Sequence, residues 1–174
     1  EHLLLDTLRI ARSVPCAARF VAYTPAEEAG YFREVAPDFV PLLQQGDGLG
    51  ERLDNALRAV LSRGFEGAIL LSSDVPSLPA AHLSTAFDLL ERADVVLGPC
   101  EDGGYYLIGA KRPQPRLLRE VRKSTPRVLE ETLALAAREG LEAALAPAWY
   151  DVDTHRDLLR MQADLARHGS VLAT

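Results

Sequence analysis

Apolar positions along this chain recur with two periods, one helical and one matching short buried strands, and the order of the two predicts an α/β protein. Leu4, Leu5, Leu8 and Ala11 repeat at helical spacing, and Pro15 sets the latest end of that first helix. A strand is expected at residues 19–23. Thr24 and Pro25 then read as N-cap and first-turn proline of a helix through Glu27, Glu28, Tyr31 and Phe32. Residues 39–43 form a short apolar run, expected as another strand. Gly46, Gly48 and Gly50 precede a helix whose Leu49, Leu53, Ala56, Leu57, Val60 and Leu61 share one face, and Gly64 closes it.

Residues 68–71 are wholly apolar, and after them come two serines, Asp74 and the strand-breaking Pro76 and Pro79. The next helix carries Leu83, Ala86, Phe87 and Leu90 on one face, and residues 94–97 form a second apolar strand. Strands of this kind are buried on both sides, a property of parallel sheets. Residues 105–110 make a further strand, which Pro113 and Pro115 break before a short helix; Pro126 opens a longer one with Leu129, Leu133 and Ala136. Residues 142–146 suit a last short strand. Thr154 then caps a final helix, with Asp157 three residues on as in a capping box. Alternation of strand and helix through this order predicts a mostly parallel sheet with helices on both faces, and residues 1–174 are expected to form one domain.

Composition narrows the function classes. The 174 residues are 48% hydrophobic, enough for a real core, and carry a formal charge of −6 with no basic stripe of the kind that holds nucleic acid. No apolar run approaches membrane-spanning length and no secretion signal is visible, so no membrane partner and a cytoplasmic location are expected. Cys16 and Cys100 lie far apart without metal-ligand spacing, which fits reduced thiols.

Candidate chemistry gathers at three acidic turns after apolar segments: Asp74, the pair Glu101 and Asp102, and the pair Asp151 and Asp153. Ligands in open α/β sheets bind at the carboxyl ends of strands. Carboxylates converging there suit a hard cation, Mg²⁺ or Mn²⁺, which is commonly shared with phosphate oxygens. Taken singly, each acid also has a structural role available: a turn aspartate bonds nearby amides, and Asp151 and Asp153 precede a helix start. The segment EDGGYYLIG joins Gly103 and Gly104, which allow close backbone approach, to Tyr105 and Tyr106, of which one is expected to line a site while the other packs. The segment GDGLG, with Gly48 and Gly50, stands before a helix whose free amides suit a phosphate or carbonyl, and equally suits a flexible helix entry. Arg52, Lys111 and Lys123 are candidate phosphate counterions, and Ser73 is a candidate substrate contact. Neither the histidines nor the serines form a recognisable nucleophile and base pair.

Read in order, QGDGLGERL, LLSSDVPSLP, DVVLGPCEDGGYYLIGA, KSTPRVLEETL and WYDVDTHRDL together resemble the bacterial GT-A-like transferases often labelled radical-SAM or selenodomain-associated transferases. More distantly, the layout is similar to 2-phospho-L-lactate guanylyltransferase and the molybdenum-cofactor guanylyltransferases. The resemblance implies a nucleotide-diphospho-sugar transferase fold in which Asp74 and Asp151 or Asp153 hold a divalent cation against nucleotide phosphates. It also implies that Asp102, Gly103, Gly104 and Tyr105 line the acceptor or the transferred group. Members of that family usually begin with a strand and a Gly-rich basic loop, and this sequence as given starts after both. It further carries Gly48 where aspartate is common, Lys123 where tryptophan is common, and His155 and Arg156 where proline and glutamate are usual.

These observations predict a metal-dependent transferase with a nucleotide-activated donor, foremost a nucleotide-sugar glycosyltransferase. Its partners would be a nucleotide or nucleotide sugar and a small-molecule acceptor, with Asp74 and Asp102 catalytic, Asp74, Asp151 and Asp153 on the metal, and Gly48, Gly50, Arg52, Ser73, Gly103, Gly104 and Tyr105 at the substrates. Two alternatives are a nucleotidyltransferase that joins a nucleoside triphosphate to a phosphorylated small molecule with pyrophosphate release, and a non-catalytic nucleotide- or partner-binding module.

Overall fold

The structure is a computed structural model and describes residues 2–167. Its elements are α1 (His2–Ser13), β1 (Phe20–Tyr23), α2 (Ala29–Val35), β2 (Val40–Leu43), α3 (Leu49–Leu61), β3 (Ala68–Leu71) and α4 (Ala80–Leu90). Then follow β4 (Val95–Pro99), β5 (Tyr105–Ala110), α5 (Pro115–Arg119), α6 (Val128–Arg138), β6 (Ala143–Leu145) and α7 (His155–Arg167). The expected strands and helices are present within a residue or two. The entry to α2 differs from expectation: the Thr24–Pro25 peptide is cis, Pro25 itself caps a 3₁₀ turn over Ala26–Glu28, and no side chain caps it. The N-cap position therefore falls on Pro25, one residue later than expected. The capping box at α7 is formed, with Asp157 accepting from the Thr154 N–H and hydroxyl at 2.9 and 2.6 Å.

Four strands lie in the order β3-β5-β4-β6. β5 pairs antiparallel with both β3 and β4, and β4 pairs parallel with β6. Hence β3, β4 and β6 point one way and β5 alone runs against them. The apolar strands β3 and β4 lie parallel on either side of β5, which separates them. This topology brings the turns after β3, β4 and β6 to a single edge of the sheet. β1 and β2 pair parallel in a separate ladder, and residues of β1 and β3 both line a cavity of about 540 Å³. There the Thr7 hydroxyl donates to the Ser73 carbonyl at 3.1 Å, tying α1 to the turn after β3.

Alternation along the strands divides the core in two. Val96 packs with Ala86, Leu83 and Leu90 of α4 and Ile10 of α1, whereas Val95, Leu97, Ile108 and Ala110 pack with Leu57, Leu117 and Leu135 of α3, α5 and α6. Asp54, fully buried in α3, joins that helix to α5 by accepting from Arg119 Nε at 2.6 Å, and it also accepts from Arg58 Nε at 3.0 Å. Gly50 serves the same packing, since a Cβ there would strike the Leu118 carbonyl.

The β4–β5 register slips once: Gly98 faces Leu107 and Pro99 faces Tyr105, leaving Tyr106 as the extra residue of a bulge. The slip resets the alternation. Tyr105 joins the α3, α5 and α6 side, while Tyr106 is buried on the α1 and α4 side with its hydroxyl donating to the Pro147 carbonyl at 2.8 Å. The Tyr106 ring lies where a Cβ on Gly98 would be. Gly98→Ala is therefore expected to cost about 1–3 kcal/mol through overpacking. Circular dichroism should show a lowered thermal midpoint with secondary structure retained; an unchanged midpoint would mean that the ring yields freely.

Candidate active site

Each of the three acidic turns is fixed by backbone hydrogen bonds before its side chains are considered. Asp74 precedes Val75, which is fully buried and whose carbonyl accepts from the Leu78 N–H at 3.1 Å. In the β4–β5 turn, Cys100 N–H donates to the Gly104 carbonyl at 3.0 Å and Asp102 Oδ1 accepts from the Gly104 N–H at 2.8 Å. Gly103 holds φ +88°, and a Cβ there would collide with the Pro126 carbonyl; its own carbonyl accepts from the Leu129 N–H at 3.0 Å. Glycine is thus required where this turn meets the start of α6.

The third turn, after β6, is stitched to the other two. Trp149 N–H donates to the Pro99 carbonyl at 2.9 Å, and Val152 N–H donates to the Asp74 carbonyl at 2.9 Å. The second bond sets Asp151 and Asp153, the residues on either side of Val152, next to Asp74. Behind them Trp149 stacks on Tyr150, the Arg160 guanidinium lies 3.9 Å from the Tyr150 ring centroid, and Arg160 makes a bidentate pair with Glu101 at 2.6 and 2.8 Å. The Tyr150 hydroxyl donates to Asp164 at 2.9 Å, so α7 braces the turn from the outside.

These turns border a cleft of about 560 Å³ lined by Asp74, Asp102, Asp151 and Asp153 together with Gly104, Tyr105 and Lys123. Oxygen atoms of Asp74, Asp151 and Asp153 lie within 4.8 Å of one another, as do ligand atoms of Cys100, Asp102 and Asp151. Asp74 Oδ1 is buried and accepts no hydrogen bond. Burial, and then repulsion from the neighbouring carboxylates, raises Asp151 and Asp153 above the usual carboxylate range. The same causes push the Cys100 thiol upward. Burial moves the Tyr105 phenol up to about 12 and the Lys123 ammonium down to about 8. The donor set fits a hard divalent cation: three carboxylates, one with an orphaned buried oxygen, in reach of a single ion.

Of the residues singled out by sequence, Asp74, Asp102, Asp151, Asp153, Gly104 and Tyr105 share this cleft, and Gly103 forms the turn behind it. Lys123 lines it too, whereas Glu101, Lys111, Gly48, Gly50, Arg52 and Ser73 do not. Gly48 is the residue before α3 and Gly50 packs on α5; Arg52 donates to the Gly46 carbonyl at 3.1 Å and, like Ser73, lines the cavity beside β1. α3 instead presents Leu49 and Leu53 to the cleft, where Tyr105 meets Lys123, while the Tyr106 side chain is buried on the opposite face of the sheet. Sequence reasoning also passed over Cys100 as a neighbour of the acids and Ser124 and Thr125 as cleft-lining hydroxyls. The signal for Cys100 was its place directly before EDGG.

Fold and site together define an α/β protein built around a carboxylate cluster at the strand ends, and solved structures that share this fold include a nucleotidyl transferase and a synthetase complexed with CTP. The chain belongs to the bacterial family DUF2064, "Uncharacterized protein conserved in bacteria", whose sequence profile matches residues 7–125. It is 29% identical to a protein from Desulfovibrio desulfuricans G20 assigned provisionally as a nucleotide-diphospho-sugar transferase, with a TM-score of 0.81 over 96% of this chain and 83% of that one. A CMP:2-keto-3-deoxy-manno-octonic acid synthetase complexed with CTP shares the fold at 14% identity, with a TM-score of 0.65 over 96% and 88% of the two chains. Rv0371c from Mycobacterium tuberculosis H37Rv, solved with manganese, does so at 18% identity, with a TM-score of 0.62 over 91% and 85%. No curated protein matches the chain. Among the described residues, no helix is long and apolar enough to cross a membrane.

The electrostatics of the cleft make the two thiols unequal. Cys100 is buried among four carboxylates that disfavour its thiolate, whereas Cys16 is partly exposed with its thiol near the Ala18 carbonyl. At pH 8 an exposed-thiol reagent such as Ellman's is expected to titrate Cys16 at least tenfold faster than Cys100. Equal rates in the native protein would contradict the described burial and charge.

Proposed function

We propose that this protein is a transferase that moves a group from a nucleotide-activated donor, foremost a nucleotide sugar, to a small-molecule acceptor. The observation that carries this reading is the convergence of Asp74, Asp151 and Asp153 on one point of the cleft, enforced by the Val152–Asp74 hydrogen bond. Mg²⁺ or Mn²⁺ held by these three residues would supply positive charge against the diphosphate that departs from the donor. The manganese in Rv0371c and the CTP in the octonic acid synthetase, both in proteins of the same fold, support a cation and a nucleotide as partners.

The chain's own groups have separable tasks. Asp102, oriented by the Gly104 N–H, is the group placed to accept the proton of an acceptor hydroxyl while that oxygen bonds to the transferred carbon and the donor's diphosphate leaves with its electron pair. The Asp102–Gly104 turn holds this carboxylate against rotation, which lowers the cost of positioning it. Leu49, Leu53 and Val128 give the cleft an apolar wall that excludes water from part of its volume. The second reading is nucleotidyl transfer to a phosphorylated acceptor, favoured by the CTP-bound neighbour. Products separate the two, since glycosyl transfer releases a nucleoside diphosphate and nucleotidyl transfer releases pyrophosphate.

Calorimetry with nucleoside diphosphates, triphosphates and nucleotide sugars, each with and without Mn²⁺, tests the common core. Cation-dependent nucleotide binding is expected in the wild type and is expected to be lost in Asp74→Asn. Asp102→Asn should retain donor binding while the turnover rate falls by about 10²–10⁴. If no nucleotide binds under any of these conditions, the reading is wrong.

The pH dependence has a definite sign. Raised values for Asp151 and Asp153 mean that the folded chain holds their protons more tightly than the unfolded chain does. Their contribution to stability is present at low pH and is lost as pH rises through the raised values. A cation that binds the ionised cluster restores stability in that upper range, by about 2.7 kcal/mol at a hundred times its Kd. Mn²⁺ should therefore raise the thermal midpoint at pH 7, do so less and less toward pH 4, and have no effect on Asp74→Asn at either pH.

A further inference from the structure

Lys123 is the only cation among the residues that line the acidic cleft, and none of the described carboxylates pairs with it. Its ammonium donates to the Tyr105 hydroxyl at 2.9 Å and the Leu117 carbonyl at 3.2 Å. Both acceptors are neutral. An ammonium has three protons to donate, so one is left for another partner. Holding a half-buried cation with only neutral acceptors is unfavourable, and burial accordingly lowers its pKa to about 8. The phenol facing it stays neutral, with its own value pushed up to about 12. A chain with 25 acidic residues against 19 basic ones has no shortage of carboxylates that could have compensated this charge.

The backbone around Lys123 is equally particular. Ser124 holds φ +59°, in the left-handed region, alone in this among the described non-glycine residues. The conformation sits between two contacts: the Lys123 bonds on one side, and on the other Pro126, against whose carbonyl Gly103 packs. It also leaves Ser124 and Thr125 on the cleft wall beside the lysine. An ammonium with two adjacent hydroxyls, separate from the carboxylate cluster, has the chemistry of an oxyanion site.

We infer that Lys123, with Ser124 and Thr125, recognises a carboxylate or phosphate group carried by the acceptor, so that the second substrate is an anionic small molecule. This rests on the transferase reading above for the word acceptor, but the anion site itself does not. The donor's phosphates belong with the cation at Asp74, Asp151 and Asp153, and the uncompensated lysine is then left for the other substrate. The acceptor would enter with its anion toward residues 123–125 and its nucleophile toward Asp102. Charge on both substrates is thus divided between one cationic and one anionic patch of the same cleft.

Lys111 and Lys123 are the chain's two lysines, so the test is direct. In metal-free protein labelled with ¹³C-lysine, the two ε-carbon signals are followed against pH, alone and with saturating inorganic phosphate or acetate. At least one anion is expected to move the Lys123 midpoint upward, because an anion favours the charged ammonium, and to leave Lys111 in place. Lys123→Met should bind that anion about 10–100-fold more weakly by calorimetry, the loss of one charged hydrogen bond, with its folding verified by thermal melting. A nucleoside diphosphate with Mg²⁺, a diamagnetic ion that leaves the signal observable, should leave the Lys123 midpoint unmoved. The inference is overturned if neither anion shifts that midpoint in the wild type, a result independent of whether the variant folds. It is also overturned if the nucleotide shifts the midpoint, which would give the lysine to the donor. Failure of the transferase reading shows itself separately, as absence of any nucleotide binding in the calorimetric test.

Discussion

Three like charges within 4.8 Å repel one another, and one backbone hydrogen bond decides that they stay together. Val152 donates to the carbonyl of Asp74, and the two carboxylates that flank Val152 are brought against a third that is distant in sequence. Main-chain bonds suit this task because they do not depend on the ionisation of the side chains they position. Burial, and after it their mutual repulsion, raises the proton affinities of Asp151 and Asp153, and Asp74 keeps a buried oxygen without a hydrogen bond. A fold that tolerates such a cluster stores an unmet demand for positive charge, and the rest of the site is arranged about that demand.

The sheet makes the arrangement possible through one reversed strand. With β5 running against β3 and β4, the β4–β5 connection is a tight turn at the same edge as the turns that follow β3 and β6. That turn is where Asp102 is fixed, Gly103 is pressed against Pro126, and the loop holding Lys123 is brought to the cleft. The bulge at Tyr106 completes the effect by turning Tyr105 toward Lys123 and sending Tyr106 to the opposite layer of the core.

Much of the fold was legible because it is written in local periodicity. The apolar runs of β3 and β4, the helical stripe of α3, the paired prolines before α5 and the Thr154–Asp157 box each speak for themselves over a few residues. Three acidic turns stood out for the same reason, as carboxylates following apolar segments. What escaped was set by partners far along the chain. The pairing of β3 and β4 through β5 depends on register, the Thr24–Pro25 isomer on its surroundings, and the packing role of Gly50 on Leu118 of another helix. Arg52 and Ser73 carry suitable chemistry, but whether an arginine faces one cavity or another follows from the direction of its helix face. Lys123 was visible as a cation and invisible as a buried one.

The brace from α7 has a consequence for how the protein comes into being. Arg160 reaches back to Glu101, Tyr150 reaches forward to Asp164, and the guanidinium of Arg160 covers the Tyr150 ring between them. On the ribosome, the central strands emerge and can associate while this helix is still unmade. During that interval Asp74 and Asp102 are already made, but Asp151 and Asp153, and the helix that braces their turn, have yet to be synthesised. The three carboxylates of the cluster can therefore meet only late in the synthesis of residues 2–167, and the strands of the core must associate without the brace.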